Sequence, residues 1–339
     1  MTIAKGHSRK NLHEVAPPAP AEPRATGDEF APSLVPKPDE RALVYALLGE
    51  ASRFLKDHPE VTSPRTAIDL WNLFRHRSRS LELDDFGWDE TAGERWLPLF
   101  QFLYRVYWRV TMTGVENIPM NGRALLVANH SGVLPWDGAM VKLGIAEEHP
   151  ARRKARMLVL DMFSTLPFLQ PWLRHLGEVR ACPENGERLL MRDELVGVFP
   201  EGVKGIGKPF RDRYRLARFG RGGFVRLALR AQAPIIPISI VGAEEIHPNI
   251  ARLDFIGRPL GLPYFPMTPT FPLLGPLGVI PLPTKWWIDV GKPIDLGYPR
   301  EVADRPMIVN QLADKVRTTL QTMIDSRLAR RKSIFSGEL

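Results

Sequence analysis

From Thr111 onward, short apolar runs alternate with stretches of helical periodicity, and this alternation most constrains the fold. Ala124 to Ala128 is continuously apolar, too short for a buried helix and bounded by Asn129-His130. Such a run reads as a strand covered on both faces, which is the habit of parallel sheets. Arg156 to Leu160, Leu195 to Phe199, Ile235 to Val241 and Trp286 to Val290 read as further strands. Gly138 to Ala146, Glu184 to Asp193, Gly222 to Ala231 and Met307 to Arg331 read as helices. The expected class is therefore α/β, a mainly parallel central sheet flanked by helices and preceded by N-terminal helices. In such folds functional residues collect at the carboxyl ends of strands.

Ahead of this region the chain changes character twice. Residues 1–38 are rich in proline and poor in periodic apolar content, which predicts a disordered tail. Residues 39–110 form an N-terminal helical region, and the α/β domain is expected over 111–332. Glu40 to Asp57 carries Leu43, Leu47, Leu48, Ala51, Phe54 and Leu55 at helical spacing, ending before Pro59. A short helix is expected over Asp69 to Arg77. Trp96 to Val110 is crowded with aromatic residues, with Arg105 and Arg109 four apart. That composition fits either a membrane-interface helix or a helix packed on the next domain.

Composition excludes several classes. The 339 residues include 46 Lys and Arg against 38 Asp and Glu, a net charge of +8, so an anionic partner is expected. The single cysteine, Cys182, forbids an internal disulfide and argues against a cysteine-built metal site. No secretory signal pattern is present at the start, and no apolar run reaches the roughly 18 residues a spanning helix needs. A cytoplasmic location with peripheral, monotopic membrane association is the expectation. No cofactor or metal is expected.

Chemistry concentrates in two loops. In Asn129-His130-Ser131-Gly132-Val133-Leu134-Pro135-Trp136-Asp137, a histidine follows directly on a buried strand and an aspartate comes seven positions later. On a straight helix that separation would be roughly 10 Å of rise. Gly132 and Pro135 break the helix, so the segment can loop back. A carboxylate on one imidazole nitrogen fixes the tautomer, and the other nitrogen can then take a proton from a hydroxyl. The same aspartate could instead cap the helix that follows. The second loop follows the strand Leu195–Phe199: Pro200-Glu201-Gly202-Val203-Lys204-Gly205-Ile206-Gly207-Lys208. Glycines admit close backbone approach to an anion, and ammonium groups nearby favour phosphate. The Gly-Lys-Ser/Thr ending of a P-loop is missing. Lys204 to Arg230 then holds nine basic residues and a single acid, Asp212. Lys204 and Lys208 are assigned to a ligand, and the remaining cations to lipid headgroups or internal pairing.

Together these blocks resemble the glycerolipid and lysophospholipid acyltransferase superfamily. The family's His-x4-Asp motif is similar to His130 with Asp137, here with six intervening residues. Its Phe-Pro-Glu-Gly block matches Phe199-Pro200-Glu201-Gly202, with Lys204 where arginine is more usual. Its Gly and Arg block looks like Gly177-Glu178-Val179-Arg180, and its last block is similar to Ala233-Pro234-Ile235-Ile236-Pro237-Ile238. The correspondence spans roughly Thr111 to Pro293. The resemblance implies an O-acyltransferase using acyl-CoA or acyl-carrier protein as co-substrate, with lysophosphatidate or another lysophospholipid as acceptor. It implies His130 as general base, Asp137 as its orienting partner, and Arg180, Glu201, Gly202, Lys204 and Lys208 at the acceptor. A hydroxyl would attack the thioester directly, without an acyl-enzyme.

The lysine at 204 keeps a neutral acylglycerol acceptor open, because an ammonium lacks the bidentate fork of arginine. A non-catalytic lipid-binding protein on the same fold is the other alternative, and the retention of both His130 and Asp137 argues against it. The partners expected are a membrane lipid surface, the acyl donor and the acceptor, with no nucleic acid. The apolar, proline-broken stretch Leu253 to Thr284 reads as membrane contact or acyl binding, and Arg327, Arg330, Arg331 and Lys332 as an added contact to anionic lipid.

Overall fold

A computed structural model describes residues 38–62, 84–86, 88, 94, 96–131, 136–160, 176–249, 251–253, 265–268, 278 and 280–337. The expected disordered tail, the expected helix over Asp69 to Arg77 and most of the proline-broken stretch from Leu253 lie outside them.

The architecture is mixed α/β around one seven-stranded sheet. Its strands are β1 (Thr111–Thr113), β2 (Ala124–Ala128), β3 (Ala155–Val159), β4 (Val179–Arg180), β5 (Leu195–Val198), β6 (Ile235–Val241) and β9 (Trp287–Val290). A separate antiparallel pair joins β7 (Ala251–Leu253) to β8 (Phe265–Met267). The sheet order is β1-β9-β6-β2-β5-β3-β4. The five strands from β6 to β4 pair in parallel, β9 runs antiparallel to β6, and β1 is parallel to β9. Every residue of β2 and β6 is buried. That explains their unbroken apolar sequence: helices cover both faces, so no solvent-facing position remains to carry a polar residue.

The helices are α1 (Pro38–Asp57), α2 (Leu97–Phe102), α3 (Trp136–Glu148), α4 (Pro183–Met191), α5 (Gly223–Ala231) and α6 (Pro306–Arg330). On one side of the sheet α4, α5 and α6 bury Leu189, Leu190, Val225, Leu229, Val316 and Leu320 in one core. On the other, α2 and α3 bury Phe100, Met140, Val141 and Ile145 against Leu126, Ile236 and Ile238. Each such side chain removed from water contributes roughly 1.5–3 kcal/mol. In α1, Leu47, Ala51 and Phe54 recur on one face and pack on Phe210 and Phe335.

The aromatic segment is a short helix continued by a π-helical turn, Leu103–Tyr107. Tyr104 and Trp108 are buried, and Trp108 stacks on Trp286 with ring centroids 4.6 Å apart. Of the two readings open for this segment, the described contacts are those of packing on the α/β domain. Arg105 pairs with Glu147 of α3 at 2.8 Å. Arg109 has a positive φ, stacks over Phe54 at 4.2 Å and donates to the carbonyls of Pro283 and Phe335. The two arginines therefore do not share one surface. Among the described residues no helix is long and apolar enough to cross a membrane.

Candidate active site

β2 delivers His130 to the carboxyl edge of the sheet. Its exit is held by Asn129, whose side-chain amide donates to the Ile240 carbonyl at 2.9 Å and whose oxygen accepts the Ile240 N–H at 2.7 Å. One side chain thus imitates a peptide and ties β2 to β6 just where the chain leaves the ladder. An apolar residue at 129 would leave two buried backbone groups unpaired.

Asp137 lies in the first turn of α3, and its side chain is fully buried. His130 Nδ1 donates to Asp137 Oδ2 at 2.6 Å. The Ser131 N–H reaches the same oxygen at 2.9 Å, and Oδ1 accepts the Gly138 N–H at 2.8 Å. Asp137 therefore does both things its sequence position allows, receiving the imidazole and satisfying an N–H at the start of α3. An ionised carboxylate can only accept, which assigns the proton to Nδ1 and leaves a lone pair on Nε2.

The ring of His130 stacks on Phe199 with centroids 4.5 Å apart. Phe199 follows directly on β5, the neighbour of β2, so the sheet register itself brings ring to ring. The turn behind it closes through Gly202 N–H to Phe199 O and Gly205 N–H to Gly202 O, each 3.0 Å. Gly202 has φ +56° and ψ −140°, a conformation that a side chain strongly disfavours. Gly205 presses on the base: a Cβ there would stand 2.9 Å from His130 Cβ and 2.8 Å from Glu201 Cβ.

The sequence placed seven residues at this site, and the structure sorts them. His130, Asp137 and Glu201 come together. Glu201 is buried and fully occupied: Oε1 accepts the His130 backbone N–H at 3.1 Å, and Oε2 accepts the Ala217 N–H at 2.8 Å. Lys208 Nζ also meets Oε2 at 3.1 Å and reaches Glu244 Oε1 at 3.2 Å. Glu201 and Lys208 thus serve each other and the backbone. Lys204 is exposed on the same turn as Gly202. Arg180 is exposed at the end of β4, three strands along from β2 on the same edge, about 14 Å away in strand spacings. The sequence reading missed the roles of Asn129, Phe199, Gly205 and Glu244. Strand-end positions mark the first two, whereas nothing local marks Glu244, far along the chain from Lys208.

Beside α3 lies an apolar cavity of about 300 Å³, walled by Ala139, Lys142 and Leu143 on the helix and by Phe100, Leu176 and Glu178. Glu178 pairs with Lys142 at 3.1 Å, and burial raises its carboxyl above the ordinary range. Among the described residues no cluster of His, Cys, Asp and Glu could hold a metal ion.

Comparisons with known proteins bear on this arrangement. The family model described as acyltransferase matches residues 109–241, which carry the His130 and Glu201 loops. An uncharacterized protein of Mycobacterium tuberculosis is 44% identical over 321 residues, 90% of this chain and 90% of its own length. An uncharacterized protein of Mycobacterium leprae is 48% identical over 257 residues, 75% of this chain and 70% of its own. The 1-acyl-sn-glycerophosphate (LPA) acyltransferase PlsC of Thermotoga maritima superposes with a TM-score of 0.46 at 18% identity, over 85% of this chain and 99% of that one.

Proposed function

Because the chain belongs to the acyltransferase family, we propose that it moves a fatty acyl group from acyl-CoA or acyl-carrier protein to a hydroxyl of a glycerolipid acceptor. The observation that carries this reading is the hydrogen bond from His130 Nδ1 to Asp137, which leaves Nε2 as the available base at the sheet's carboxyl edge. Nε2 takes the acceptor's hydroxyl proton as its oxygen attacks the thioester carbonyl. The new C–O bond forms, the C–S bond breaks, and the thiolate leaves and takes up the proton from the imidazolium. Asp137 stabilises that imidazolium by its buried charge. The apolar cavity beside α3 offers a seat for an acyl chain. Work takes place at a membrane surface to which the protein binds peripherally from the cytoplasm.

The favoured acceptor is lysophosphatidate or another lysophospholipid, with Gly202 and Lys204 facing its phosphorylated end. One observation favours a second reading, a neutral acylglycerol: Lys208 is spent on Glu201 and Glu244, so the turn offers a phosphate chiefly Lys204. Transfer of labelled acyl groups in mixed micelles to lysophosphatidate and to mono- and diacylglycerol separates the two. With a phosphorylated acceptor, Lys204→Ala lowers kcat/KM about tenfold, the worth of one charge-assisted contact, and leaves transfer to neutral acceptors unchanged. Faster transfer to mono- or diacylglycerol than to lysophosphatidate would assign the neutral substrate, and equal transfer to lysophosphatidate by both proteins would remove Lys204 from the acceptor site. No transfer by folded wild-type protein to any acceptor, from either donor, would overturn the function.

A further inference from the structure

We propose that Glu244 is a positioning residue of the acyl-transfer site, acting through Lys208 and Glu201 on the backbone that carries His130. This rests on the function proposed above. Glu244 lies in the turn after β6, and only 5% of its side chain is exposed. Its Oε1 receives Lys208 Nζ at 3.2 Å, and its Oε2 receives the Tyr214 N–H at 2.9 Å. Lys208 spends its donors on Glu244, on Glu201 at 3.1 Å and on the Arg215 carbonyl at 3.2 Å. Glu201 in turn accepts the His130 N–H. Four residues from three loops are linked in series, and the last link holds the base at the point where β2 ends.

Such a chain stiffens the site only while its charges balance. One ammonium serves two carboxylates, with little water to screen any of them. Losing the Glu244 charge gives Lys208 wholly to Glu201 and slackens its tie to the turn after β6. Every group facing Glu244 belongs to this balance. Lys208 and Glu201 approach from the turn after β5, and the Tyr214 N–H and Arg215 carbonyl from the following loop. Behind it, Glu245 is closed off by Arg331 and Arg213, and the Tyr214 hydroxyl accepts from Gly242 N–H and Arg331. Burial first, and then the Glu201 charge, push the Glu244 carboxyl up to about 7, against the pull of Lys208. The chain therefore slackens as the pH falls through neutrality, and the site tightens as it rises.

Glu244→Gln keeps the shape and removes the charge. Its amide can accept from Tyr214 or Lys208 but not from both, so one link is lost. Expected for folded Glu244→Gln is a kcat lowered about tenfold, in line with a small displacement of a reacting group, and an acceptor KM within twofold of wild type. The kcat ratio of wild type to Glu244→Gln, in which every other titration cancels, should fall toward one as the pH drops through about 7, and Glu244→Asp, which keeps the carboxylate, should stay close to wild type across the range. A second readout needs no activity. With histidine-labelled full-length protein, the difference between the His130 amide shifts of wild type and Glu244→Gln, from which the imidazole's own contribution cancels, should change with pH through about 7. That pH-dependent difference, seen in a wild type without transfer activity, would keep the positioning chain and remove the function. Folded Glu244→Gln with wild-type kcat at every pH, or with no pH-dependent difference in the His130 amide, would overturn the proposal; where Gln does not fold, a Glu244→Asp protein that loses activity tenfold at high pH would do so.

Discussion

Asp137→Asn is expected to lower kcat by about 10²–10⁴-fold, the usual worth of a positioned general base, with acceptor KM little changed. The reason lies in what surrounds the carboxylate. Its Oδ2 accepts both His130 Nδ1 and Ser131 N–H, and its Oδ1 accepts Gly138 N–H. All three partners are donors. Asparagine must aim its own N–H₂ at one side. Aimed at His130, it forces the proton to Nε2 and abolishes the base, and it opposes the Ser131 N–H as well. Aimed at Gly138, it keeps the tautomer but opposes that N–H, and in either case the charge that stabilises the imidazolium is gone. The variant should also lose stability by about 1–3 kcal/mol, the cost of a buried donor left unpaired. Melting curves and steady-state kinetics on one preparation check both parts. Wild-type kcat in Asp137→Asn would remove Asp137 from the mechanism.

Gly205→Ala is the second large effect, about 10²-fold in kcat. A Cβ at 205 meets the β-carbons of His130 and Glu201, 2.9 and 2.8 Å away. Neither is the free end of a flexible side chain, so the turn or the base must shift, and a displacement near 1 Å can cost on this scale. Gly223 is exposed, with nothing within 4 Å of its added Cβ, and is the natural control. Gly223→Ala should leave kcat within twofold. Equal activity of the two variants would show that the turn does not press on the base.

These effects sit on a frame that the sequence announced unevenly. Ala124 to Ala128 and Ile235 to Val241 are legible to the residue because central parallel strands have no polar face. β1 and β4 are not legible: three and two residues carry no period, and only pairing with β9 and β3 makes them strands. The aromatic run from Trp96 reads as one helix, but a π turn ends it early and Arg109 leaves in a positive-φ conformation.

At the site, the two loops and the His130–Asp137 pair were legible because the sequence sets glycine and proline, poor helix formers, between histidine and aspartate. Which lysine faces a ligand was not legible. Lys204 and Lys208 look alike in sequence, and only the fold brings both Glu201 and Glu244 to Lys208 and leaves Lys204 exposed. Charge complementarity across distant loops leaves no local pattern to read.

The most direct test of the account is the rate of labelled acyl transfer by His130→Ala beside wild type, in mixed micelles holding acyl-CoA and lysophosphatidate. The side chain of His130 is partly exposed and its backbone link to Glu201 survives the substitution, so the variant should fold. Wild type should transfer, and the variant should lose about 10³-fold or more in rate. Transfer by folded His130→Ala at a rate within tenfold of wild type would contradict it.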